Sequence, residues 1–359
     1  MGSMQRTGRV HDSLTPPLTL RWTAGIPGHY LWNSPTVSED GIVYMCLWTE
    51  ESDRQYCLHA LRLDTGSVLW HQPAIRVAAT GAATIHHRVV FVCDAESINC
   101  VDRHTGSVVW QYRVPKLIRE CAPAVWGNLV YVGAADGHLY TLDATTGELV
   151  WQFTTDTWIT FTPSVANDTV YVGLTNSKQP EALVALNART GELQWKHEFA
   201  YGISFGYNST VAVHNGLVFA ALQRYGLCAF AAASGQLVWR YELDYGPWTA
   251  PCIADDVVYV AGWGLHAVDA SCGSQLWATE SYSLQTSAPI VTDAYVFIGG
   301  GYASKIYAFD RRNGHIRWQF EMGGHIVSTP AIADHTLLVG CHDGYLYCLE
   351  QTAGRAAHL

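Results

Sequence analysis

The chain has 359 residues, 49% of them apolar and only 14% charged, so it can bury a large core and is not disordered. Its formal net charge is −10, and no Lys/Arg run exceeds the pair Arg311-Arg312. That argues against a nucleic-acid partner and against an anionic membrane surface, both of which need a concentrated basic face.

Residues 1–17 read as a flexible N-terminus without a leader sequence, in which Met1-Gly2-Ser3 resembles a vector remnant ahead of Met4. The ten cysteines include no CxxC and no adjacent pair. Several, such as Cys93, Cys228, Cys341 and Cys348, sit in strand-like runs where a reduced thiol acts as a small hydrophobe. These features lead to the expectation of a cytoplasmic protein with free thiols.

From Trp22 onward one phrase recurs: LDTGSVLW at 63–70, VDRHTGSVVW at 101–110, DATTGELVW at 143–151 and NARTGELQW at 187–195. It returns as AASGQLVW at 232–239, ASCGSQLW at 270–277 and RRNGHIRW at 311–318. The turn glycines fall at 66, 106, 147, 191, 235, 273 and 314, a period of about 40 residues. Each is followed by a tryptophan: Trp70, Trp110, Trp151, Trp195, Trp239, Trp277 and Trp318. Trp22 stands near the N-terminus without a turn, and TAG at 352–354 is a turn without a tryptophan. The two fragments complete each other.

Each period also holds a small-residue segment (SPTV, APAV, TPSV, APCI, APIV, TPAI) and two β-branched, aromatic strands before the turn. Four short strands per period and eight periods predict an all-β fold, an eight-bladed β-propeller of four-stranded antiparallel blades spanning 18–352. Its last blade takes its outer strand from around Trp22, and 353–359 form a tail.

The pattern [LYA]-x-[LF]-D-x-x-[TN]-G-x-x-x-W resembles the pyrroloquinoline-quinone (PQQ) type propeller repeat along nearly the whole chain. The resemblance implies that the eight tryptophans dock between blades and that the TG turn carries the outer hairpin. In size the chain is similar to the outer-membrane assembly lipoprotein propellers. Their lipidated cysteine has no counterpart here, since the first cysteine is Cys46. The PQQ-dependent alcohol dehydrogenases of the family use adjacent cysteines and Ca²⁺. This chain has no Cys-Cys and no matching acidic cluster, so neither PQQ, calcium nor any other cofactor or metal is expected.

Six tryptophans lie outside the repeat: Trp32, Trp48, Trp126, Trp158, Trp248 and Trp263. With strands A to D numbered from the axis outward, the D–A and B–C connections share one face, and all but Trp126 map to it. His29, Tyr30, Phe161, Tyr201, Phe205, Tyr207, Tyr245, Tyr282 and Tyr302 fall on the same connections. An aromatic face of this kind suits a small aromatic or apolar molecule, and equally a protein partner.

The ring at the channel mouth reads Trp32, Thr80, Glu120, Thr160, Asn208, Trp248, Thr286 and Val327, with Glu120 its only carboxylate. Glu120 is read either as a general acid or base, with His29, His325 or Asp156, or as a surface group paired with Arg119 or Lys116. Trp32, Trp158, Phe161, Trp248, Arg119 and the pair Tyr207-Asn208 are the candidate substrate contacts. The leading expectation is thus a small-molecule-binding propeller, leaning to a cofactor-independent cyclase, isomerase or lyase. The rival is a non-catalytic interaction scaffold. Asp136 and Asp343, in DGHLY and HDGYLY, are read as turn formers rather than metal ligands.

Overall fold

The computed structural model describes residues 10, 13–25, 30–49, 55–76, 82–115, 121–159, 161–175, 181–200, 204–205, 210–243, 249–280, 282, 284 and 287–352. These residues form eight antiparallel sheets in sequence order and no helix, the expected propeller.

Blade 3 shows how the sequence builds one unit. Ala124–Trp126, Leu129–Gly133, His138–Asp143 and Leu149–Thr154 pair in order from the axis outward. The two middle strands are buried along nearly their whole length, because each sheet lies between two others and both of its faces are covered. The outer strand alternates between exposed and half-buried positions, as an edge strand facing water does.

The A–B hairpins are tight. In blade 4, Asn167 and Asp168 take φ of 50° and 57°, the left-handed conformation that such turns require and that Asn and Asp tolerate. The inner strands are tied sideways by hydroxyls that satisfy otherwise orphaned carbonyls near the axis. Thr36 Oγ1 donates to Ala83 O at 2.8 Å, Thr84 Oγ1 to Pro123 O at 2.6 Å, and Ser287 Oγ to Ser328 O at 3.0 Å.

The tryptophan phrase works across blades. Trp110 Nε1 donates to Ala144 O at 3.1 Å, Trp151 Nε1 to Ala188 O at 3.1 Å, and Trp239 Nε1 to Ala270 O at 3.0 Å. Each carbonyl belongs to the TG turn of the next blade, so the indole ties one outer strand to the following turn. The turn glycine does two jobs at once. Gly147 has φ of +74°, and a Cβ there would lie 2.6 Å from Trp110 Cδ2, so both the backbone and the neighbouring ring demand glycine. A register shift next to each tryptophan, such as that between Thr141 and Leu142 opposite Trp151, bends the outer strand at the docking point.

Ring closure is as expected: Leu18–Gly25 pairs antiparallel with Tyr345–Gln351, giving blade 8 its outer strand. Trp22 Nε1 then donates to Leu63 O of blade 1 at 2.9 Å. Blade 5 departs from the four-strand expectation. Its inner edge is split into Ser204–Phe205 and Ala212–His214, which pair with opposite ends of Leu217–Gln223. That seven-residue strand is long enough to hold both.

Candidate functional site

Five large aromatic side chains among the described residues are exposed: Tyr30, Trp32, Trp158, Trp263 and Tyr302. Tyr30 and Trp32 lie on the connection from blade 8 to blade 1, and Trp158 on that from blade 3 to blade 4. Trp263 and Tyr302 lie on the B–C connections of blades 6 and 7. All five therefore share the D–A/B–C face. The opposite face carries none of them, and Trp126 there bonds Asp168 Oδ1 through its Nε1 at 3.2 Å.

At the seam of blades 7, 8 and 1 the aromatic face becomes a cluster. His342, in the B–C turn of blade 8, has its ring 4.3 Å from that of Trp32, 5.2 Å from Tyr30 and 6.1 Å from His325. His325 in turn meets Tyr302 edge-on at 5.0 Å. The turn is held by the backbone: His342 N donates to His325 O at 2.9 Å, and Asp343 Oδ1 accepts from Tyr345 N at 3.1 Å. Burial, with the neighbouring His325 imidazole as a secondary cause, pulls the His342 imidazole down to about 4, so it is neutral at ordinary pH. Its Nε2 is shut from solvent and has no hydrogen-bond partner among the described residues.

Trp32 and His325 thus meet through His342. Asp156 does not join them: it is exposed on the connection between blades 3 and 4, across the ring from His325. Trp158 is 52% exposed, and its backbone is pinned by a reciprocal pair of bonds with Thr175, each 2.9 Å. Phe161 departs from its expected place on the open wall. It is buried at 8% exposure, 5.3 Å from Phe205, in a core with Phe199 and Phe230. Its ring points into the packing between blades because a phenyl group gains more there than at the rim. His29, Arg119, Glu120, Tyr207, Asn208 and Trp248 lie outside the described residues.

Asp136 and Asp343 are turn formers, as read. Asp136 Oδ1 accepts from His138 N at 3.0 Å and its Oδ2 from Tyr140 Oη at 2.7 Å, and Asp343 repeats both contacts with Tyr345 and Tyr347. No disulfide joins any of the ten cysteines, and all but Cys272 are buried.

Sequence reasoning missed two titratable groups on this face, His342 and Glu181. Glu181 precedes the C strand of blade 4, and one of its carboxylate oxygens accepts from Phe205 N at 3.0 Å. Burial raises its carboxyl to about 7, with the Phe205 bond pulling the other way. A single glutamate before an apolar strand carries no sequence signal of such burial.

A quinone cofactor with its cation does not fit the described residues. No three His, Cys, Asp or Glu side chains among them converge to hold a metal, and the chain has no adjacent cysteines.

The fold and this face define an eight-bladed propeller with tryptophan-docked outer strands and a one-sided aromatic surface. The family model described as outer membrane protein assembly factor BamB matches residues 55–260 and again 179–356, and the chain belongs to that family. The BamB of Legionella pneumophila is 30% identical over 118 residues, which cover 33% of this chain and 30% of that protein. The serine/threonine-protein kinase AfsK of Streptomyces griseus is 30% identical over 148 residues, 38% of this chain and 18% of the kinase. The chain therefore spans less than a third of the length of these relatives.

Among solved structures, BamB from Moraxella catarrhalis superposes with a TM-score of 0.75 at 17% identity, covering 93% of this chain and 99% of that one. The quinohemoprotein alcohol dehydrogenase of Comamonas testosteroni gives 0.81 at 14% identity, covering 98% and 80%. At these identities the likeness shows the fold. The dehydrogenase reading is not favoured.

Proposed function

We propose that this propeller is a non-catalytic docking scaffold that engages a protein partner through its D–A/B–C face. One observation carries the reading: among the described residues, every exposed Trp and Tyr lies on that face. Rings held partly in water on rigid connections make strong anchors, since they bury large area at little entropic cost and dominate interface energies. The family match to an assembly factor supports the same direction. The small-molecule enzyme reading rests on Glu120, which lies outside the described residues.

The test is affinity capture with the wild-type chain and with a Trp32→Ala/Trp158→Ala/Trp263→Ala variant, followed by calorimetry on the purified pair. A partner whose Kd rises at least about tenfold in the variant supports docking through this face. Equal affinity for both proteins rejects it. Native mass spectrometry that finds a tightly held metabolite in the wild type, and not in the variant, would instead return the function to a small-molecule site.

A further inference from the structure

A buried imidazole nitrogen without a partner is unusual, because native structures satisfy nearly all such atoms. His342 Nε2 is one. It lies beneath two rings that are themselves partly in water, Trp32 at 42% and Tyr30 at 57% exposure, both on the connection that enters blade 1. The atom and its cover thus sit on the aromatic face at the seam of blades 7, 8 and 1, not in the core. A partner can reach this nitrogen only by moving one of the rings that cover it.

The chemistry of the occupant follows from what the socket holds. Burial keeps His342 neutral, and the neighbouring His325 also opposes positive charge there, so a cationic side chain meets the same penalties. An anion would have to bring a proton to the imidazole. A neutral hydrogen-bonding group suits the atom, and which role it must play depends on the tautomer of His342. If Nδ1 carries the proton, Nε2 accepts; if Nε2 carries it, Nε2 donates. A phenol satisfies either tautomer, whereas an indole can only donate and a phenyl ring can do neither. Once one covering ring is displaced, the other, with His325 and Tyr302 behind it, offers faces and edges to the incoming ring.

We propose that the seam of blades 7, 8 and 1 receives the side chain of a partner's tyrosine, its ring displacing Trp32 or Tyr30 and its hydroxyl bonding His342 Nε2. The proposal rests on the docking reading and names the residue the partner must present.

The experiment titrates the full chain, carrying ¹³C-labelled histidine, with p-cresol, toluene and methylguanidinium as separate probes. His342 and His325 signals are assigned through His342→Phe and His325→Phe. p-Cresol is expected to move the His342 signal with an affinity at least about fivefold tighter than toluene, and methylguanidinium to leave it in place. His342→Phe keeps a ring but removes the orphan atom, so it is expected to hold or raise Tm while losing the preference for p-cresol over toluene. Equal binding of p-cresol and toluene overturns the hydroxyl contact, and tighter methylguanidinium binding overturns the neutral socket. A large fall in Tm for His342→Phe means the nitrogen already has a partner, which also overturns the proposal. A silent His342 with a partner still lost in the Trp32/Trp158/Trp263 variant removes the tyrosine socket alone. A responsive His342 with no such partner removes the docking reading and leaves the socket.

Discussion

The two faces of the disc are built from the same repeat yet are chemically opposite. On the A–B/C–D face, charges are paired, largely across blade boundaries. Arg103 meets Asp40 of the preceding blade at 3.1 Å, Arg311 meets Asp255 at 2.7 Å, and His214 meets Asp256 at 2.7 Å. The TG turns there are internally satisfied too: Asp102 Oδ1 accepts from His104 N at 3.0 Å and Thr105 N at 2.9 Å. The D–A/B–C face instead exposes rings, Trp263 and Tyr302 among them. The contrast teaches that what a turn must bind, not its length, divides the labour, since the C–D turn of blade 2 spans five residues and the B–C connection that carries Trp263 spans three. The A–B and C–D turns spend their polar side chains on the turn and the seam. The D–A and B–C connections present side chains for recognition.

Substitutions on the two faces should have opposite effects on stability and on binding. The largest loss is expected where the paired face also carries the docking contact. Gly147→Ala forces a left-handed alanine and drives its Cβ into the Trp110 ring, so urea unfolding should show a destabilisation of about 3 kcal/mol. An unchanged midpoint would mean that the indole moves aside freely and that the docking contact carries no weight.

Arg311→Ala comes next. The guanidinium, only 12% exposed, donates to Tyr259 Oη, Ala254 O and Asp255, and its loss should cost about 2 kcal/mol. Partner affinity, measured on the same sample, should stay within about twofold, because the arginine sits on the far face.

Removing Trp32 and Trp158 together should reverse the pattern. Each is about half in water, so stability should fall by no more than about 2 kcal/mol per site. Partner affinity should fall at least about tenfold, equivalent to about 1.4 kcal/mol. A large loss of stability with no loss of binding would place these rings in the scaffold.

The smallest effect concerns pH. Glu181 holds its proton up to about 7 in the folded protein, above the ordinary 4.5 of a glutamate. A raised carboxyl favours the folded state while it is protonated, so this contribution is full below about pH 4.5 and is lost as pH rises through about 7. Tm should therefore decline between about pH 5 and pH 8 by about 2 °C more in the wild type than in Glu181→Gln, which stays neutral throughout. Parallel Tm curves for the two proteins would show that burial does not perturb this carboxyl.

The sequence by itself determined what depends on neighbours along the chain. The period of about 40 residues, the four strands per period, the glycine of each turn and the two half-phrases at the ends were enough to count eight blades and close the ring. Asp136 and Asp343 were legible as turn formers because their partners lie two and four residues on. Tertiary structure alone decided what depends on residues brought together from other periods. The second role of Gly147 comes from Trp110 in the blade before, and the inward turn of Phe161 from Phe205 in the blade after. The burial of Glu181 and the meeting of His342 with Trp32 leave no trace in local pattern. A propeller's seams join positions one period apart, and its closure joins the two ends of the chain. Polarity and spacing within a strand record which way a side chain leaves its own sheet, not which ring awaits it on the next.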